Sequence, residues 1–293
     1  MELGHVQDLS EIDFSLAPDS ASTLSALQRQ QTTAPLQVYI GAPKWGEKSW
    51  KGIIYPKKAN DKELLIRYSQ NFNTVEFGPT FYNIYNAAQI SNWATQISNP
   101  DFKFCPKFPQ LITHISRLGN ARENTDKFYH SLKGFGDHLG PLLLQLGENF
   151  SPKSFTNLKN YLEGLDPAIK VHVEIRNKNW FVDQEARKDF FELLKSLHVG
   201  TVISDTAGRR DCVHMELTTP NAMIRFVGNN LHESDYRRMD DWVARITTWQ
   251  QLGLQKLWFF MHQNDERYVP QACAYFIEQL TLNPAYRLAR LNS

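Results

Sequence analysis

The residues best placed to do chemistry lie on short runs in which polar and apolar side chains alternate. Val171-His172-Val173-Glu174-Ile175-Arg176 is the clearest of them. Successive residues of a strand face opposite sides. Val171, Val173 and Ile175 are therefore expected to pack outward, with His172, Glu174 and Arg176 pointing inward. By the same rule Glu76 opposes Val75 and Phe77, Lys103, Cys105 and Lys107 oppose Phe102 and Phe104, and Arg225 opposes Ile224 and Phe226. A lone buried charge costs several kcal/mol, so such groups must pair or meet a ligand. One outcome is a closed ion-pair layer, Glu174 with Arg176 or Arg225, serving structure only. The other is a pocket in which Glu174 acts as general base or acid and Glu76 or Asp205 is the partner carboxylate. Arg176, Arg225 and Lys107 then hold an anion and stabilise developing negative charge.

The loops that follow these runs add cations and aromatics. Lys44, Lys48 and Lys51 are interleaved with Trp45 and Trp50; Thr80-Phe81-Tyr82 follows Glu76; His114 and Arg117 follow Lys107. Arg176 opens the stretch Arg176-Asn177-Lys178-Asn179-Trp180, and Arg209-Arg210 follows Asp205. Such a mouth suits an anionic small molecule, phosphorylated, carboxylated or nucleotide-like, bound through Trp45, Tyr82, Lys107, His114, Arg117, Arg176, Trp180 and Arg225. Arg176, Arg225 and Lys107 are expected to be partly unpaired without ligand. The bland alternatives are that the tryptophans cap the fold with apolar bulk and that His114 is a hydrogen-bonded loop residue.

The first functional expectation is thus an enzyme, a hydrolase, lyase or isomerase working by carboxylate acid–base chemistry. A second is a metal-dependent phosphodiester or sugar enzyme using Glu76, Glu174, Asp205 and His262 as ligands. The chain has no HxH or HExxH cluster and its inward cations repel a divalent ion, so neither metal nor cofactor is expected. A third is a non-catalytic binder of single-stranded nucleic acid or another polyanion.

What must position these residues is legible in outline. The chain has 293 residues, 42% of them hydrophobic, enough for one large α/β domain. Lys plus Arg is 32 against 31 for Asp plus Glu, which disfavours a protein that binds nucleic acid through bulk charge. Three separated cysteines make neither a disulfide framework nor a zinc site. No secretory signal or membrane-length apolar run is present, so a cytoplasmic location is expected. The oligomeric state is not readable.

Apolar runs at 38–42, 74–78, 102–107, 142–146, 171–176, 201–205, 222–228 and 257–262 alternate with segments of helical period. Leu64, Leu65, Tyr68 and Phe72 form one such face, and Ala186, Phe190, Leu193 and Leu197 another. Asn60 with Glu63 reads as a capping box, and Asp183 and Asp235 as N-caps. Eight strands with intervening helices and no Gly-rich phosphate loop predict a single α/β (β/α)8 barrel, irregular after strand six, where 205–221 has no room for a full helix. Barrels of this kind carry their sites at the C-terminal ends of the strands. Residues 1–36 read as an extension, disordered or strapping the barrel, with one short helix near 24–30. The barrel is expected to span 37–285, and 286–293 to form a tail.

The motifs then match a known pattern. Ile40-Gly41, Trp45, Trp50-Lys51-Gly52 and Tyr55-Pro56 come first, followed by Phe72-Asn73-Thr74-Val75-Glu76 with Thr80-Phe81-Tyr82. Phe104 with Lys107, Ile112-Thr113-His114, Arg117-Leu118, Leu139-Gly140-Pro141-Leu142, Gln145-Leu146, Val173-Glu174-Ile175-Arg176 with Trp180, Asp205, Arg225 with Gly228, and Asn264 follow in order. Over about 38–280 the chain resembles the YecE-like family of uncharacterised barrel proteins. The resemblance implies a TIM-like barrel, no established activity or cofactor, and recurrent polar residues at Glu76, Lys107, His114, Arg117, Glu174, Arg176, Asp205, Arg225 and Asn264. This chain departs from the pattern at Pro43-Lys44, at His262-Gln263-Asn264, and at Val227, where many members place a histidine.

Overall fold

In a computed structural model, which describes residues 4–28 and 35–282 and the backbone of 286–288, eight strands are parallel and surround a filled interior. They are β1 (Leu36–Ala42), β2 (Thr74–Phe77), β3 (Lys103–Pro106), β4 (Leu142–Leu146), β5 (Val171–Ile175), β6 (Gly200–Asp205), β7 (Asn221–Gly228) and β8 (Lys256–Gln263). Their order is β3-β2-β1-β8-β7-β6-β5-β4. Between β3 and β4 the ladder shrinks to the bridges Phe104–Leu139 and Lys107–Leu143, which nearly close the barrel. This is the (β/α)8 architecture expected from the alternating pattern.

Ten α-helices are described: α1 (Ala21–Gln28), α2 (Leu64–Asn71), α3 (Pro79–Tyr82), α4 (Ala87–Ala94), α5 (Arg122–Leu132), α6 (Phe155–Glu163), α7 (Asn179–Val182), α8 (Gln184–Ser196), α9 (Glu233–Leu252) and α10 (Val269–Thr281). Outward strand residues such as Val75, Phe77, Phe104, Leu144, Val173, Ile224 and Phe226 join the apolar layer beneath the helices. The lower interior is a separate apolar plug of Cys105, Leu143, Val202, Met223, Trp258 and Phe260, with Tyr39 stacked on Trp258 at 3.9 Å. Two glycines permit this filling. A side chain on Gly41 would meet the Thr74 carbonyl at 2.0 Å, and one on Gly200 would meet His172 at 2.3 Å.

β1 and β2 pair only over Gly41–Ala42. Asn73 extends the seam: its amide accepts from Ile40 N at 2.8 Å and donates to the Val38 carbonyl at 2.8 Å. Helix starts match the sequence reading at Asp183, whose carboxylate accepts from Glu185 N and Ala186 N. They differ at two others. Asn60 binds Glu63 and Lys62 N within a turn that precedes α2 without capping it. Asp235 lies inside α9, which His232 caps instead, and its buried carboxylate takes Asn229 N at 2.7 Å.

The irregular unit and the extension belong together. Between β6 and β7 there is one short turn, Arg210–Cys212, and then an extended return that buries Val213, Met215 and Leu217. α1 packs on that return and on α9, in the space a regular unit would give its own helix. The Thr23 hydroxyl donates to the Met215 carbonyl at 2.9 Å and accepts from Leu217 N at 2.8 Å. Asp19 binds Arg245 at 2.7 Å and Trp249 Nε1 at 3.0 Å. Part of the helix expected near 24–30 is therefore α1; residues 29 and 30 lie outside the described residues. At the other end, β9 (Tyr286–Leu288) runs parallel to β1, extending the sheet into the stretch assigned to a tail. Because Leu27 is fully buried under α9's side of the barrel, Leu27→Ala is expected to cost about 2–3 kcal/mol, read by urea unfolding. A loss under about 0.5 kcal/mol, the size of a surface change, would show that the extension is not part of the folded core.

Candidate functional site

Above the apolar plug the interior turns polar. β2, β5 and β7 each deliver one inward charge at this level, Glu76, Glu174 and Arg225, all buried. The Arg225 guanidinium fills the space between the carboxylates. Nε and Nη2 donate to Glu76 at 2.9 and 2.8 Å, and Nη1 donates to both oxygens of Glu174 at 3.0 and 2.7 Å. The expectation of a partly unpaired Arg225 is thus corrected: the fork has a carboxylate at each end, the strongest geometry open to it. His262 Nε2 lies 3.1 Å from Glu76, and Ser204 Oγ donates to Glu174 at 3.1 Å.

Burial would raise both carboxylates. Burial is the largest single influence at each, but it is outweighed by Arg225 acting together with His262 and Lys107 at Glu76 and with Arg176 and Lys107 at Glu174. Glu76 is held well below the usual carboxylate range and Glu174 is also lowered. Carboxylates so engaged are poor acids and weak bases, so the geometry does not favour them as the proton-transfer pair.

Arg176, just past β5, donates from Nε to Glu174 at 3.3 Å and from Nη2 to Gln145 at 2.9 Å. It is the more exposed arginine of the layer, at 19% against 2% for Arg225. Lys107 projects beside it. Its ammonium lies 4.6 Å above the Phe81 ring and has no hydrogen bond or ion pair among the described residues. Burial, then Arg225, lowers its pKa to about 8 against the pull of Glu76 and Glu174. His114 stands edge-on to the same ring at 5.0 Å, its pKa lowered by burial and then by Lys107 and Arg176. Across the mouth, burial pushes the Glu266 carboxyl up to about 7, and its Oε2 is buried with no hydrogen-bond partner.

Several residues expected in the pocket lie elsewhere. Asp205 is the largest departure. Ser204 takes the inward position, so Asp205 faces α9, where it accepts from Trp242 Nε1 at 2.7 Å and pairs with Arg238 at 2.9 Å and with Arg210. Trp45 stacks on outward-facing Phe77 at 5.6 Å and lies edge-on to Trp93 and Phe104. Trp180 is fully buried and donates to the Phe150 carbonyl at 2.7 Å. Trp50 is buried too, so no tryptophan platform lines the mouth. Arg117 ties its loop to the Asn149 carbonyl at 2.8 Å, and Asn264 braces Asn229 at 3.3 Å. Tyr82 is 70% exposed at the rim.

The proposed metal set is split in the same way: Arg225 sits between Glu76 and Glu174, and Asp205 faces out. Among the described residues no group of three or more His, Cys, Asp or Glu side chains could hold a metal ion. Ser204 and Glu266 were not singled out from sequence, and Gln145 entered only as a motif residue without a site role. Gln145 carried a signal, as the one polar residue in the run Leu142–Leu146.

The molecule is therefore a (β/α)8 barrel with a buried carboxylate–arginine–carboxylate layer beneath a cationic mouth. The model of the family described as "Protein of unknown function DUF72" matches residues 39–291, and the chain belongs to that family. It is 27% identical over 252 residues to the UPF0759 protein YecE of Escherichia coli K12, covering 80% of this chain and 89% of that one. Among solved structures it resembles a DUF72 family protein from Thermotoga maritima, with TM-score 0.65 and 20% identity over 84% of this chain and 99% of that one. A DUF72 family protein from Enterococcus faecalis gives TM-score 0.66 and 15% identity over 84% and 96%. These likenesses bear out the barrel and the YecE-like resemblance. Among the described residues no helix is long and apolar enough to cross a membrane.

Proposed function

We propose that the mouth of this barrel is the active site of an enzyme acting on a small anionic molecule, with Arg176 and Lys107 holding the anion. The observation that carries this reading is the charge count of the polar layer. Arg225, Arg176 and Lys107 face two carboxylates; Glu76 and Glu174 are both engaged by Arg225, and the Lys107 ammonium has no acceptor among the described residues. An anion seated on Arg176 would balance the layer. Proton transfer falls to Lys107, whose pKa is lowered to about 8, and to His114, lowered by burial and the neighbouring cations, while Glu174 orients Arg176.

Inorganic phosphate, sulfate or a phosphorylated sugar should raise the melting temperature. A ligand at 100 times its Kd stabilises by about 2.7 kcal/mol, several degrees for a chain of this size. Arg176→Ala should abolish most of that rise relative to the variant's own unliganded value. Stabilisation only by neutral sugars or cations would sink the reading and leave the layer a structural ion-pair cluster.

A further inference from the structure

We propose that Lys107 is a nucleophile that forms an imine with a small aldehyde or ketone carrying an anionic group, the anion being seated on Arg176. The inference rests on the mouth being the anion-binding site, and it names the substrate class of that site. The geometry points to it in three ways. Among the described residues Lys107 is the layer's cation with no paired carboxylate, so its nitrogen is not committed to structure. One face of that nitrogen rests on Phe81, which supplies no hydrogen-bond acceptor and keeps water from one side. The groups around it set its charge state: Glu76 on β2, Glu174 and Arg176 at β5, Arg225 on β7, and His114 from the loop after β3. With the carboxylates drawn toward Arg225, burial and the neighbouring cations favour the neutral amine, the form that attacks a carbonyl.

His114 is arranged to move the protons. The Thr113 hydroxyl lies 2.8 Å from His114 Nδ1 and 3.2 Å from the Pro109 carbonyl, and in the proposed tautomer it donates to the carbonyl and accepts from Nδ1–H. That leaves Nε2 unprotonated and able to accept. In the first step the Lys107 lone pair forms a C–N bond to the carbonyl carbon, and one amine proton passes, through His114 Nε2, to the carbonyl oxygen. In the second step the resulting hydroxyl takes one further proton from solvent by the same route. The C–O bond then breaks, water leaves, and the nitrogen lone pair closes a C=N bond that keeps the last amine proton. No oxidant, reductant or second substrate is required. The product iminium is an electron sink, which fits lyase or isomerase chemistry at the neighbouring carbon.

The test is reductive trapping on the full chain. Protein is incubated separately with pyruvate and with glyceraldehyde 3-phosphate, treated with sodium borohydride, and examined by intact mass and peptide mapping. The expected result is a single reduced adduct per chain at Lys107 with at least one probe, forming faster as pH rises toward 8. Lys107→Arg and Lys107→Met should lose it while keeping a cooperative melt, and Arg176→Ala should need roughly tenfold more probe, the loss of about 1.4 kcal/mol of anion binding. Scattered labelling of surface lysines with none at Lys107 would overturn the imine. If phosphate still stabilises the protein in that case, the anion-binding reading stands without it. If neither trapping nor phosphate stabilisation is seen, both fail.

Discussion

Arg225→Met is expected to destabilise the protein by about 3–5 kcal/mol at neutral pH, because it leaves Glu76 and Glu174 buried and facing one another without their shared cation. The sequence left Arg225 either holding an anion or closing an ion-pair layer; its two carboxylate partners make it a strut. The pH dependence separates the two roles. In the native protein both carboxylates are lowered, so their contribution is present above the ordinary glutamate range and is lost as pH falls through the folded values. In the variant burial is opposed only by the weaker pulls of His262, Lys107 and Arg176, so the carboxylates rise, and the penalty is largest at neutral pH and shrinks as they protonate. Urea unfolding at about pH 7 and about pH 5 should therefore show the gap between the two proteins narrowing on acidification. A gap that stays constant, or a loss below about 1 kcal/mol, would mean that water or rearrangement already neutralises the pair.

Asp205→Ala should be comparably damaging, about 3–5 kcal/mol, while leaving the phosphate response of the folded protein unchanged. The carboxylate is buried between β6 and α9, where Arg238 is itself fully buried and lies 4.2 Å from the Phe226 ring and 5.0 Å from Phe14 of the extension. Removing Asp205 takes away the guanidinium's closer carboxylate, leaving it Asp235 at 3.4 Å and the Val227 carbonyl, and orphans Trp242 Nε1. Burial raises the Asp205 pKa, but Arg238 and then Arg210 outweigh it and hold it low, so its stabilisation is present above the usual aspartate range and disappears below it. Equilibrium unfolding gives the first quantity, and thermal shift with phosphate, each variant referred to its own unliganded melt, gives the second. Loss of the phosphate response at full folding would return Asp205 to the binding site.

Both predictions turn on which way a strand side chain faces, and the sequence was unequally informative about that. On β2, β5 and β7 one face is Val, Ile or Phe and the other carries the charge, so the period-two pattern alone sends Glu76, Glu174 and Arg225 inward. On β6 the residues Gly-Thr-Val-Ile-Ser-Asp mix polar and apolar on both faces, and the phase was left to the fold. Gly200 makes room for His172 inside, which fixes Val202 and Ser204 inward and Asp205 against Arg238. Loop residues were less legible still: nothing local to Trp45 or Trp180 tells that one stacks on an outward phenylalanine or that the other caps a carbonyl 30 residues away.

The sequence by itself determined the barrel, its inward charges and the family, because strand and helix periods and the order of the motifs are local properties. Only the tertiary structure decided that Arg225 is spent on two carboxylates while Lys107 is not. It also decided that the extension fills the slot beside β6 and β7, through a Thr23–Leu217 bond that spans 194 residues of chain. Pairing in a closed barrel depends on which side chains meet across its interior, and those distances are set by all eight strands at once.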